Sequence, residues 1–384
     1  MAETGGIPGG ASVAIDDMLD HCAQIQPGQE VLILAQIDGL YGGDNLVDEQ
    51  AISWIQSAVQ RRGANPSVLW IDEPARAHAW RIPPIVKAAL KSCDVMINHS
   101  FDLVVEENME FRNLINEYDF IMVRNFATTA PLLCTAWAQT PYELVSEIRY
   151  QASAQIKEGL SWELTHENGT HLEGMVGPSF DPVLFPTYTT RRSEVGGYRP
   201  WPEWVIPPVS IPKTSGTVIV DRMLSWWSRY IGISPFFEEP IRMAIEDCRI
   251  KEIEGGREAR ALRLFLAEME QRLGEGVYDF TGMHCGVHPQ AIVGPHQCPN
   301  INYRRVIEHS GSSNIHVHIG APHHTEAYPY WMHCTGDLLN ATWRVGDTLV
   351  LDQGHMTALD HPDVRAVADK YPGRPGLDRE PWRY

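Results

Sequence analysis

The first 150 residues alternate between short apolar runs and stretches in which apolar residues recur at helical spacing. Residues 30 to 35, for example, form an apolar run between Pro27-Gly28 and Asp38-Gly39, which is typical of a strand buried on both faces. This alternation predicts an open α/β sheet. The predicted elements are a helix over 11–25, a strand over 30–35, a helix over 47–62, a strand over 67–71, a helix over 82–90, strands over 94–98 and 120–125, and a helix over 142–158.

The second half has a different pattern, in which strands predominate. Asn168-Gly169 predicts a tight turn between short strands over 160–165 and 170–173. Residues 176–213 are rich in proline and aromatic residues, which indicates an ordered but irregular segment. The remaining predicted elements are strands over 216–220 and 244–253, a helix over 257–273, and a hairpin of 338–345 with 348–351 across Gly346-Asp347.

These two patterns predict two domains. A chain of 384 residues exceeds the usual size of a single core, so each half is long enough to bury a core of its own. We expect an N-terminal open α/β sheet domain over residues 1–150 and a C-terminal, β-rich α+β domain over residues 151–384.

The composition and net charge of the chain limit the kinds of partner that it can bind. The chain is 43% hydrophobic, 21% charged and 9% aromatic, which is ordinary for a globular protein. Its net charge of -18 argues against nucleic acid and anionic membranes, because both bind basic surfaces. A small molecule is the partner that this composition favours.

The sequence contains no sign of export or membrane insertion. Residues 1–10 lack the basic and apolar regions of a signal peptide, and no run of about eighteen apolar residues occurs. The seven cysteines are dispersed and odd in number, as expected for free thiols in a reducing compartment. We therefore expect a cytoplasmic protein.

Histidine is concentrated in one stretch. Nine of the sixteen histidines fall between residues 284 and 333, where an even distribution would place about two. Because imidazole is costly to bury without a partner, a shared metal ion is the simplest explanation. Taken singly, each of these histidines is more often structural or exposed than a ligand. The nine are His284, His288, His296, His309, His316, His318, His323, His324 and His333.

Local patterns suggest how some of these side chains are directed. Residues 314–320 alternate as a strand does, so His316 and His318 share one face and can address one cavity. His284 lies before a glycine and a proline that indicate a loop or a strand end. The cysteines lack paired C-x2-C spacing, which excludes a zinc ribbon.

Two further residues are candidates for substrate chemistry. His99 directly follows a predicted strand of the first domain, and ligands of open α/β sheets gather at the carboxyl ends of strands. The alternative is a polar residue that merely ends the strand. Glu203 lies between Trp201 and Trp204, where partial desolvation would suit a proton carrier or a ligand, although a surface glutamate fits the spacing equally well.

The motifs of the second half resemble, in their order, those of the metalloenzyme superfamily that contains aminopeptidase T and the 2,5-dihydroxypyridine 5,6-dioxygenases. The resemblance implies an aminopeptidase T-like fold with the metal site in the C-terminal domain. The segments that carry it are Gly169-Thr170-His171-Leu172, Glu203 with Pro208 and Gly216-Thr217-Val218, Gly286-Val287-His288-Pro289, His316-Val317-His318-Ile319-Gly320, and His333-Cys334-Thr335-Gly336.

The departures from the family favour the dioxygenase branch over the peptidases. This chain lacks the second peptidase glutamate, and Thr335 stands where the H-x-D motif has its aspartate, so the charge that holds a dinuclear site is missing. The resemblance implies an iron site in which His284 and His333 are ligands, with Asp337 as the substitute carboxylate. Asp337 would reach the same ion only if Gly336 bends the strand.

If no carboxylate ligates, a three-histidine site using His316 or His318 is the alternative, and it would suit zinc as well. The resemblance thus implies a mononuclear non-haem Fe(II) dioxygenase that cleaves or oxygenates a small hydroxylated aromatic or N-heterocycle with O2. Zn(II) and Mn(II) are the alternative metals. His99 or Glu203 would remove the hydroxyl proton, and aromatic residues within 183–204 would line the pocket.

Two other functions remain open at this point. One is a metal-dependent hydrolase, amidohydrolase-like or aminopeptidase-like, acting on a small amide. The other is a metal-free binding protein on the same fold. Metal content separates the last from the first two, and oxygen dependence separates the dioxygenase from the hydrolase. We also expect a homo-oligomer.

Overall fold

The computed structural model describes residues 6–37, 46–72, 82–99, 109–178, 197–224, 227–228, 231–274, 276–320 and 334–377. Its first helix continues into a π-helical turn, Met18–Cys22, and a 3-10 turn, Thr357–Asp360, precedes the last helix. In the described part the helices are α1 Gly9–Asp17, α2 Glu49–Arg61, α3 Pro84–Leu90, α4 Met109–Tyr118, α5 Ala130–Leu133, α6 Ala136–Gln139, α7 Tyr142–Ala154, α8 Arg257–Leu273, α9 Ile301–His309 and α10 Pro362–Ala368.

A five-stranded parallel sheet forms the N-terminal part, in the order β2-β1-β3-β4-β7. In β1, Leu32 and Leu34 pack into one apolar cluster, whereas Ile33 packs into another on the opposite face. The prediction of a sheet buried on both faces is therefore confirmed. The strands are β1 Glu30–Gln36, β2 Asn65–Ile71, β3 Val95–His99, β4 Ile121–Asn125 and β7 Tyr198–Trp201.

Strand β7 was not predicted, because it lies within the stretch interpreted as irregular. It has four residues and contains Pro200, which cannot donate a ladder hydrogen bond. A proline is tolerated there because β7 is at the edge of the sheet, beside β4. The chain thus returns from the second half to complete the first sheet, and the domain boundary at residue 150 stays a prediction.

A larger antiparallel sheet forms most of the second half, in the order β17-β16-β15-β5-β6-β9-β14-β13-β12-β8, with β10 on β9 and β11 on β10. Its apolar core is continuous with the core on one face of the parallel sheet. Its strands are β5 Ser161–Thr165, β6 His171–Met175, β8 Val209–Ser210, β9 Ser215–Met223, β10 Phe236–Glu246, β11 Arg249–Glu254, β12 Phe280–Cys285, β13 Asn314–Ile319, β14 Cys334–Leu339, β15 Thr342–Val345, β16 Thr348–Asp352 and β17 His355–Met356.

The prediction of one strand over 244–253 was wrong, because the chain reverses there. Asp247 and Cys248 both have positive φ, 45° and 63°, and form the turn between β10 and β11. This is the backbone of a two-residue hairpin turn, which asparagine and glycine usually signal. Asp-Cys carries no such signal, so the turn was not recognisable. The helix predicted over 257–273 is α8 with the same bounds.

Among the described residues, no helix combines the length and apolarity needed to cross a bilayer. All seven cysteines lie within the described part, and none forms a disulfide.

Candidate metal centre

Three adjacent strands of the large sheet place polar side chains in one row. In the antiparallel ladder β12-β13-β14, His284 lies opposite His316, and His316 lies opposite Asp337. Residues directly opposite each other point to the same face of a sheet. His318 and Thr335 form the next row on that face, since they are two residues further along. The predicted strand through His316 and His318 is therefore present.

Three buried histidines come close enough to hold one ion. One ring nitrogen from each of His284, His309 and His316 lies within 4.8 Å of the others. The rings of His284 and His316 are 4.7 Å apart and nearly perpendicular, at 78°. His309 reaches the row from a different element, because it is the last residue of α9 and lies just before the turn that leads into β13.

Burial keeps the two strand histidines neutral, which is the form that binds metals. Burial lowers the pKa of His284 to about 4, although the Ile206 carbonyl opposes the shift. Burial lowers the pKa of His316 well below its ordinary value, and the neighbouring His309 and His284 lower it further. Both side chains are therefore uncharged at neutral pH.

The hydrogen bonds of these rings leave nitrogen lone pairs for an ion. His284 Nδ1 donates to the Ile206 carbonyl at 3.0 Å, so Nε2 carries the lone pair. Neither ring nitrogen of His316 has a hydrogen-bond partner among the described residues, although the side chain is fully buried. A buried polar group without a partner calls for an explanation, and a bound metal supplies one. Imidazole donors suit zinc and iron alike.

One feature of the triad limits this fit. The rings of His309 and His316 are stacked, with centroids 3.4 Å apart and planes 10° from parallel. Imidazole lone pairs lie in the ring plane, so an ion bound about 2 Å from both nitrogens would lie well out of at least one plane. One of the two rings must turn before both can bind the same ion.

His99 lies at the carboxyl end of β3, as predicted, and is fully buried. Its Nδ1 is 3.1 Å from Asn125 Nδ2, and the orientation of that amide is set because Asn125 Oδ1 accepts a hydrogen bond from Ala127 N at 2.8 Å. The amide therefore donates to Nδ1, which leaves the proton on Nε2. Burial lowers the pKa of His99 to about 3, so the ring is neutral and presents an N–H donor.

A set of stacked rings links this strand end to the triad. Phe126, which follows Asn125, stacks on Trp204 with centroids 4.1 Å apart and planes at 5°. Trp204 in turn packs against His309 at 5.4 Å. The carboxyl end of β4 is thus two ring contacts from the triad.

Glu203 is fully buried, so the alternative of a surface glutamate is excluded. Its Oε1 accepts a hydrogen bond from Trp204 N at 3.2 Å. Burial raises the pKa of the Cys22 thiol, and Glu203 adds to that increase, so Glu203 lies near the π-helical turn that follows α1. Its role as a proton carrier stays a prediction.

The carboxylate of Asp337 contacts Arg305, and its Oδ2 is 3.3 Å from His309 Nδ1. Strand β14 pairs with β13 in uninterrupted register from Cys334 to Leu339, so it has no bulge at Gly336 of the kind that would bring Asp337 and His333 to one ion. Asp337 as a direct ligand stays a prediction.

Of the remaining predicted ligands, the structure describes His318 but not His333. His318 is buried, and its ring lies 4.7 Å from that of His284. His333 lies outside the described residues, as do His323 and His324.

His309 was not among the predicted ligands, although it is one of the nine clustered histidines. It belongs to no motif, and no sequence pattern around it predicts that its side chain points toward the sheet. The available signal was its position at the end of an amphipathic helix that Asn300 caps, since the chain must turn back to the sheet after it.

Gly286 is needed for the close approach that brings His309 to the row. A Cβ at this position would lie 2.4 Å from both Ser310 C and Gly311 O, in the turn after His309. We expect Gly286→Ala to displace this turn, to weaken metal binding and to cost about 2–4 kcal/mol of unfolding free energy. Denaturant unfolding and metal titration measure the two effects. Gly9→Ala is the control, because a Cβ there meets nothing within 4 Å. Equal behaviour of the two variants would contradict the prediction.

Fold and site together define a mixed α/β protein with a buried cluster of three histidines. No protein-family model matches the sequence, and no curated protein matches it. The chain is similar in structure to the 2,5-dihydroxypyridine dioxygenase of Pseudomonas putida, with a TM-score of 0.62 and 14% identity over 91% of this chain and 98% of that one. At this identity the likeness shows a shared fold. It supports the resemblance to the dioxygenase branch at the level of fold, whereas the aminopeptidase T relationship stays a prediction.

Proposed function

We propose that this protein is a metal-dependent dioxygenase that acts on a small hydroxylated aromatic or N-heterocyclic substrate, with O2 as the second substrate. The observation that carries the proposal is a buried cluster of three histidines, His284, His309 and His316, on a fold shared with a 2,5-dihydroxypyridine dioxygenase. Fe(II) is the proposed metal, with Zn(II) and Mn(II) as alternatives.

The three histidines would hold the ion, and His333 stays a predicted further ligand. When bound, Fe(II) supplies the redox chemistry that O2 and an electron-rich ring require. The protein contributes neutral nitrogen donors and a site from which water is excluded. His284 and His316 are 4% and 0% exposed, so polar interactions there are only weakly screened.

His99 is better suited to donate a hydrogen bond than to remove a proton. Its Nδ1 accepts from Asn125, so Nε2–H is the group available to a substrate oxygen. A donor at this position would stabilise a deprotonated hydroxyl group, which makes a ring more electron-rich. This revises the predicted role of His99 from base to oxyanion partner.

The aromatic pair Phe126 and Trp204 provides a flat apolar surface beside His309. Aromatic side chains commonly line sites for planar ligands, and they also exclude water. Trp204 belongs to the aromatic segment predicted to line the pocket, of which residues 183–196 lie outside the described residues. The predictions of a cytoplasmic homo-oligomer accompany this proposal.

Oxygen uptake by protein prepared without air tests the proposal. We expect Fe(II)-loaded protein to consume O2 in proportion to the substrate in a panel containing 2,5-dihydroxypyridine and dihydroxybenzenes, and we expect no uptake after metal removal. In the same assay His99→Gln, which keeps an N–H donor, should retain more activity than His99→Leu. Equal losses in the two variants would argue for a base instead. Absence of uptake across the panel, with metal bound, would contradict a dioxygenase.

A metal-dependent hydrolase of a small amide is the second candidate. Its support is that the described triad contains three histidines and no carboxylate, a donor set also found in zinc enzymes that activate water. Zn(II)-loaded protein that releases an amine from an amide without consuming O2 would favour this candidate.

A further inference from the structure

A row of alternating charges runs from the surface to the triad. Arg222 contacts Asp221 at 2.8 Å and Glu308 at 3.0 Å. Glu308 also lies 3.2 Å from Arg305, which contacts Asp337. The side chain of Asp221 is 51% exposed, whereas those of Arg305 and Asp337 are fully buried. The row therefore places a carboxylate deep in the protein with a cation beside it.

The buried end of this row of charges lies beside His309. Asp337 Oδ2 lies 3.3 Å from His309 Nδ1. An ionised carboxylate only accepts hydrogen bonds, so the facing nitrogen of His309 carries the proton. The lone pair of His309 is then on Nε2. A hydrogen bond from one imidazole nitrogen to a carboxylate is the usual means of fixing the tautomer of a metal-binding histidine.

We propose that Asp337 is a positioning residue, which orients His309 for metal binding, and that Arg305 holds the Asp337 carboxylate away from the metal. This inference rests on the metal centre of the proposed function. A hydrogen bond at Nδ1 fixes the tautomer and the orientation of the His309 ring. The stack of the two rings is relieved if His316 is the ring that turns, since neither of its ring nitrogens has a hydrogen-bond partner among the described residues.

Stability alone is a poor explanation for this arrangement. Replacing a buried ion pair with well-packed apolar side chains is often neutral or stabilising, because desolvation offsets the attraction between the charges. Direct ligation by Asp337 is disfavoured by its contact with Arg305, whose charge already pairs with the carboxylate. The remaining distinctive contact of the carboxylate is the one with His309.

Copper binding and pulsed electron paramagnetic resonance test the inference. Electron spin-echo modulation detects the remote nitrogen of each coordinated imidazole, and its quadrupole coupling responds to the hydrogen bond at that nitrogen. In Asp337→Asn we expect the coupling of one remote nitrogen to change, with the number of coordinated nitrogens unchanged. We also expect Cu(II) affinity, measured by competition with a chelator, to fall about 10–100-fold.

Glu308→Gln is the matched control, because it breaks the next contact of the row and leaves Asp337 and His309 in place. It should lower stability without changing the spectrum. If Asp337→Asn folds poorly because the buried Arg305 loses one of its two carboxylates, the double variant Asp337→Asn, Arg305→Gln removes both charges and should show the same change at one remote nitrogen.

Three other experimental outcomes would each contradict a different part of this inference. An unchanged remote nitrogen and unchanged affinity in a folded Asp337 variant would overturn the positioning role and leave the metal centre intact. Loss of an oxygen ligand from the Cu(II) spectrum would instead make Asp337 a direct ligand. Wild-type protein that binds Cu(II) without histidine nitrogens would overturn the metal centre itself.

Discussion

His316→Leu is expected to lower the affinity for a divalent metal by more than about 100-fold, because it removes one of three imidazoles whose ring nitrogens lie within 4.8 Å of one another. His284→Ala should have a similar effect. Chelator competition and elemental analysis measure the loss. His296→Ala is the control, since this exposed histidine belongs to the same histidine-rich stretch.

The stability of the metal-free His316→Leu variant provides an independent check. Neither ring nitrogen of His316 has a hydrogen-bond partner among the described residues, so the side chain is a buried polar group that a bound metal would satisfy. A leucine of similar volume needs no such partner. The metal-free variant should therefore be at least as stable as the metal-free wild type. Full metal occupancy in the variant, or a loss of stability with unchanged affinity, would show that His316 is structural.

The metal-free protein is expected to lose several kcal/mol of stability between pH 7 and pH 5. Burial lowers the pKa of His99 and His288 to about 3 and that of His284 to about 4, and it lowers the pKa of His316 well below 6.5. Each of these folded-state values lies below the unfolded value of about 6.5. The unfolded chain therefore binds more protons in this window, and the free energy of unfolding falls as the pH falls.

The size of this effect follows from the same shifts. At pH 5 each of His99, His284 and His288 costs about 2 kcal/mol relative to neutral pH, and the three together approach the total stability of many domains, about 5–15 kcal/mol. Denaturant midpoints at pH 7, 6 and 5, measured with a chelator present, test the prediction. A bound metal should keep this slope to lower pH, because its ligands stay deprotonated in the folded state while the unfolded chain takes up protons. A midpoint that does not change with pH would show that these histidines are accessible to protons in the folded state.

Elements with a strong local signal were predictable from the sequence. The apolar run of β1 and the amphipathic pattern of α8 each imply one backbone geometry, and the structure contains both. The alternation through His316 and His318 likewise predicted β13. Local signals failed where the deciding contact was distant. Strand β7 owes its structure to pairing with β4, more than 70 residues earlier in the chain, and the turn at Asp247-Cys248 lacks the residues that mark a tight hairpin.

The sequence and the tertiary structure also determined different parts of the candidate site. The sequence by itself determined that histidines are concentrated in one stretch, that His316 and His318 share a face, and that His99 ends a parallel strand, because each depends on composition or on the period of one element. Only the tertiary structure decided which side chains converge. The register of β12 on β13 and of β13 on β14 places His284, His316 and Asp337 in one row, and the packing of α9 adds His309. Register and helix packing arise from contacts between residues far apart in the chain, and a shift by one residue would turn the row to the opposite face.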